Sequence, residues 1–83
     1  MFPKINQTIM KFSVTGKELL LDYELHTEKC SWSIFDIGGM EMCKGNLSGK
    51  APHKISLDQL SPNVYQLCVI DGDELLNARF RIS

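Results

Sequence analysis

Hydrophobic and polar positions alternate with period two along most of this chain, and the alternation is clearest over residues 64–82. There VYQLCVI and LLNARFRI flank Asp71-Gly72-Asp73-Glu74. Two runs rich in β-branched, aromatic and aliphatic residues, joined by a short turn containing Asp-Gly, predict a β-hairpin. In the second run Leu76, Ala78, Phe80 and Ile82 share one parity and Asn77, Arg79, Arg81 and Ser83 the other, so one face is dry and one wet. In the first run Tyr65, Leu67 and Val69 face the core, leaving Val64, Gln66, Cys68 and Ile70 on the reverse. That reverse face is more apolar than a solvated strand requires. The pattern therefore predicts a central or outwardly covered strand, with the Arg-bearing strand nearer an edge.

The rest of the chain reads the same way. Residues 1–8 form a loosely ordered lead-in, and a first strand starts near Ile9, with Met10, Phe12 and Val14 on one parity. Thr15-Gly16-Lys17 breaks it. Residues 18–25, ELLLDYEL, are a second strand; Leu and Glu favour a helix, but Leu19, Leu21, Tyr23 and Leu25 share one parity between breakers. After a polar connection over 26–29, residues 30–37 are a third strand, with Trp32 and Ile34 on one face and Ser33, Phe35 and Ile37 on the other. Gly38-Gly39 ends it, and residues 40–44 return as a short fourth strand with Met40 and Met42 inward. Residues 45–52 read as a loop, and Ile55 and Leu57 mark a fifth strand. Residues 58–63 turn the corner into the hairpin, with Leu60 as its plug.

Short strands separated by turn signals predict an all-β fold, an immunoglobulin-like antiparallel β-sandwich of about seven short strands, with a small barrel as the competitor. Leu60 followed by Tyr65 at the mouth of the next strand resembles a tyrosine corner. The antibody-type disulfide is excluded, since Cys68 lies three residues after Tyr65 and faces away.

Composition narrows the picture. Eighty-three residues make one domain, 1–83, with no room for a second. Nine basic and ten acidic residues are spread along the chain rather than in blocks, which argues against a nucleic-acid surface or a polybasic membrane patch. No apolar run approaches a membrane span, and MFPKINQTIMKF lacks the apolar stretch of a signal peptide. Three cysteines, Cys30, Cys43 and Cys68, fit a reducing compartment better than a disulfide scaffold; one pair plus a free thiol is the alternative.

From about Gly16 onward the chain resembles the type A C-terminal sorting domain of proteins exported by the type IX secretion system of Bacteroidetes. The residues that carry the resemblance are the opening ELLLDYEL, then Ile34-Phe35-Asp36 running into Gly39, then ISLDQL, then Val64-Tyr65, and a last strand alternating apolar and basic residues. The family's opening Pro-Asn-Pro is absent, Met40 stands where a basic residue is usual, and Asn63 replaces the Gly before Val-Tyr. Asn tolerates the left-handed region, so that last change is mild. The resemblance implies a non-enzymatic role: the folded domain tags upstream cargo, is recognised by the outer-membrane machinery and is then cleaved off. Such domains end longer exported proteins, whereas this chain opens on Met1. It is expected to be exported, from periplasm to cell surface, if it sorts, and cytoplasmic if it is a free-standing interaction module.

The candidate partner is therefore a protein, either the secretion machinery or a second copy in a weak homodimer, with no cofactor, nucleic acid or membrane insertion. Arg79 and Arg81 on the last strand, whose backbone is open if it is an edge, are the first candidates for contact. Phe35, Ile37, Val64, Cys68 and Ile70 would form an apolar outer patch if their strands are neighbours, unless the N-terminal segment covers it. Other constellations are bland. His26 and Cys30 lack the paired spacing of a zinc site, and Cys43 with His53 lacks a third orienting group. Asp71, Asp73 and Glu74 read as solvated turn carboxylates, too few for calcium. Asn6-Gln7-Thr8 and Asn46-Leu47-Ser48 match the glycosylation acceptor pattern by chance.

Overall fold

A computed structural model describes residues 10–83; the expected lead-in over 1–8 and a strand start at Ile9 fall outside the described residues. These residues form seven strands: β1 (Lys11–Thr15), β2 (Glu18–Asp22), β3 (Cys30–Asp36), β4 (Glu41–Leu47), β5 (His53–Ser56), β6 (Asn63–Asp71) and β7 (Glu74–Ile82). They make an immunoglobulin-like sandwich of two antiparallel sheets, a three-stranded one in the order β1-β2-β5 and a four-stranded one in the order β4-β3-β6-β7. In the constant-type immunoglobulin arrangement the fourth strand joins the first sheet. Here β4 stays beside β3, its own hairpin partner, and widens the second sheet instead.

Period two is why these segments are strands. Leu19 and Leu21 of β2 are fully buried, and β2 is paired on both sides, to β1 and to β5. Tertiary pairing thus overrides the helical preference of ELLLDYEL. The opposite sheet sends Ile34, Leu67 and Val69 into the same core, where Ile55, Leu57 and Leu60 meet them. The 64–82 hairpin forms as expected, with Asp71 opposite Glu74 across a two-residue turn and Gly72 at φ +61. β6 is interior and the Arg-bearing β7 is an edge. Leu60 plugs the corner, and the Tyr65 hydroxyl donates to the Ser61 carbonyl at 2.7 Å, which makes this a tyrosine corner.

Three expectations need correction. The second strand ends at Asp22 rather than Leu25, because the chain leaves for the other sheet there; Tyr23 and Leu25 still turn toward the core. Met40 and Met42 point outward, at 66% and 41% exposure. Cys43, Gly45 and Leu47 take the inward positions opposite Ile34, Trp32 and Cys30, and a register shift between Ile34 and Phe35 makes Met42 the extra residue of a β-bulge. Finally, Gly45, Asn46 and Leu47 belong to β4 and not to a loop. Gly45 lies under the Trp32 indole, where a Cβ would come within 2.8 Å of the ring; glycine here admits a close approach and does not mark a turn.

Candidate functional site

β3 and β6 are neighbours, which brings much of the expected outer patch together. Phe35, Ile37, Val64, Cys68 and Arg79 line one shallow groove of about 250 Å³, along with Asp36, Gly39, Tyr65, Gln66 and Asn77. Phe35, Val64 and Cys68 supply the apolar floor because their parity turns them away from the core. Arg79 of β7 sits opposite Gln66, and Gln66 Nε2 donates to Asn77 Oδ1 at 3.4 Å, giving the rim its polar character. The groove is smaller than an ordinary small-molecule pocket. Arg81 lies opposite Val64 and flanks it. Ile70 does not line it; it pairs with Leu75 at the far end of the same face, the two being 46% and 60% exposed. Leu75 shares the parity of Asn77, so alternation alone could have placed it there. The alternative expectation, that the N-terminal segment covers this face, falls on residues outside the described ones.

The groove ends at the β3–β4 tip, which is built by Asp36. Its Oδ1 accepts the Gly38 and Met40 amides, each at 2.9 Å, and its backbone carbonyl accepts the Gly39 amide at 3.0 Å. Gly39 adopts φ +89, a conformation open to glycine at no steric cost. This explains why Asp36 and Gly39 stand three apart: one caps the turn and the other completes it. The tip presents Ile37 at 77% exposure beside the outward Met40.

At the opposite end the acidic cluster corrects another expectation. Asp71 is buried, not solvated. Its carboxylate accepts the Tyr23 hydroxyl at 2.8 Å, the His26 amide at 2.7 Å, the Thr27 amide at 3.0 Å, the Thr27 hydroxyl at 2.8 Å and the Cys30 thiol at 2.9 Å. Burial by itself pushes the Asp71 carboxyl up, but hydrogen bonds from Cys30, His26, Tyr23 and Thr27 outweigh it and hold the group well below the usual carboxylate range. In return burial, together with the Asp71 charge, raises the Tyr23 phenol and the Cys30 thiol. The spacing of His26 and Cys30 follows from this cage, to which one contributes its amide and the other its thiol. The His26 ring stands at the rim of the cage, its Nδ1 3.8 Å from Asp71 Oδ2 and 3.5 Å from Glu74 Oε1. Among the described residues no group of three or more His, Cys, Asp or Glu is placed to hold a metal ion.

The remaining reactive side chains do not converge. Cys43 is half-buried in β4, while His53 is buried in β5 of the other sheet, its Nε2 without a hydrogen-bond partner among the described residues. All three cysteines are free, and burial pushes each thiol up, with Glu41 adding to the effect at Cys43. Thiols held protonated are poor nucleophiles. No model of a known protein family matches the chain, and no curated protein matches it.

Proposed function

We propose that this sandwich is a non-enzymatic recognition domain, a sorting tag of the type IX kind that the secretion machinery reads in its folded form through the groove between β3, β6 and β7. One observation carries the reading. Three stretches far apart in sequence, each part of the resemblance, line that single groove: Phe35, Asp36 and Gly39 from the first, Val64 and Tyr65 from the second, and Arg79 from the last strand. A partner apolar side chain would rest on Phe35 and Val64, and a partner carboxylate would meet Arg79 at the rim. The alternative role, a free-standing interaction module, uses the same face.

The test is a reporter protein fused ahead of this domain in a bacterium with a type IX system. The reporter should reach the cell surface or medium with the domain removed. Val64→Glu and Arg79→Glu should each abolish export while leaving the purified domain folded, because Val64 is only half-buried and Arg79 faces outward. A reporter retained in the periplasm with the native domain would sink the sorting role. Export that ignores both substitutions would remove the groove as the recognition site.

A further inference from the structure

Four strands border the two sheets, and they differ as templates for a further strand. β1 and β5 are five and four residues long, and β4 is broken by its bulge. β7 runs for nine residues and pairs with β6 from end to end without a register shift. Asp71 and Glu74 close a two-residue turn, so they and every second pair beyond them exchange hydrogen bonds. The even-numbered residues of β7 thus point their backbone groups at β6, while Leu75, Asn77, Arg79 and Arg81 point theirs outward. Among the described residues, no backbone hydrogen bond outside the strand ladders uses these four. A long, regular edge without proline is open to strand addition.

The charges on β7 select the strand that fits. If β7 pairs antiparallel with its own copy, outward residues must face outward residues, and like charges directly opposite are destabilising. A two-fold through Arg79 sets that residue on itself, and one through Phe80 sets Arg79 on Arg81; both are repulsive. A two-fold through Ala78 avoids repulsion but makes no ion pair, and one through Leu76 sets Asp73, in the turn before β7, on Arg79 but overlaps the strands only over residues 74–78. Centred on Asn77, the pairing sets Asn77 on Asn77, Leu75 on Arg79, and Asp73 on Arg81. The last contact occurs twice by symmetry. It also lays the Arg79 alkyl stem over Leu75, the more exposed member of the Ile70–Leu75 pair.

We infer that β7 pairs with β7 of a second copy, antiparallel about Asn77, joining two four-stranded sheets into one of eight. This self-association does not depend on the sorting reading. Sedimentation equilibrium of the full 9.4 kDa chain from micromolar to millimolar concentration should show a weak monomer–dimer equilibrium. Amide exchange at Leu75, Asn77 and Arg79 should slow as concentration rises, while Leu76, Ala78 and Phe80 are protected throughout. Arg81→Asp should raise the dimer Kd roughly tenfold, and adding Asp73→Arg should restore it. Both positions are exposed, so the monomer's circular dichroism should not change. A monomer at every concentration overturns the inference. So does a dimer that ignores Arg81→Asp or is not rescued by the exchange of charges.

Discussion

The two ends of the sandwich are closed in opposite ways. At the end where β6 turns into β7, the β2–β3 connection folds over Asp71, which accepts five hydrogen bonds, and the Gly72 amide donates to the Lys29 carbonyl. A buried carboxylate fixes a loop there. At the other end Leu60 plugs the corner, where the Tyr65 hydroxyl donates to the Ser61 carbonyl and the Lys17 ammonium to the Leu60 carbonyl, while the β3–β4 tip leaves Ile37 and Met40 in water. A charge removed from water must be fully satisfied, so the first end tolerates little change. Exposed apolar side chains add little to the stability of the fold, so the second end tolerates more change.

The strongest way to break this contrast is Asp71→Leu, which strands the donors of Tyr23, His26, Thr27 and Cys30 in a dry site. We expect a loss of about 4 kcal/mol in urea unfolding. A loss under about 1 kcal/mol would mean that water replaces the carboxylate easily. Acid should reach the same cage by another route. Because the folded-state pKa of Asp71 is depressed, its contribution is present above the ordinary carboxylate value of 3.8 and is lost as pH falls below it. Unfolding free energy measured from pH 6 to pH 2 should fall steeply in the native chain, and less steeply in Asp71→Asn.

A finer comparison uses two tyrosines. Tyr23→Phe removes a hydrogen bond to a charged group and should cost about 2 kcal/mol, whereas Tyr65→Phe removes one to a carbonyl and should cost about 1 kcal/mol. Equal losses would erase the distinction between the two ends. Smallest of all, Ile37→Ser together with Met40→Ser should shift stability by less than about 0.5 kcal/mol, read by the same denaturation curves. A larger loss would show that the tip supports the fold.

Alternation made most of the fold legible, since parity alone places Leu19, Leu21, Tyr65, Leu67 and Phe80 inside, and each is buried. It failed in β4 because a bulge shifts parity by one, and nothing local announces that Met42 is the extra residue. In that register the Trp32 indole lies over Gly45, a contact between strands that a linear reading cannot contain. The Asp71 cage was half legible. Asp71 shares the parity of Leu67 and Val69, which points it inward, but Asp-Gly at a turn suggests solvent, and the donors that satisfy it lie more than forty residues earlier. The groove could be anticipated from the apolar reverse face of β6. Its end at Asp36 and Gly39 could not, because the tip turn brings them there.

β6 also determines when this chain can fold. It lies between β3 and β7, and its last residue holds the β2–β3 connection. A nascent chain that stops short of residue 63 has its β1–β2 and β3–β4 hairpins, with β5 able to add to β2, but nothing yet completes the second sheet. Closing β3 onto β6 joins residues about thirty to forty apart and precedes most of the gain from the shared core, the kind of long-range pairing that slows folding. Folding is thus a single late event that waits for residues 63–82 to be synthesised, and until then the earlier strands remain accessible to chaperones and proteases.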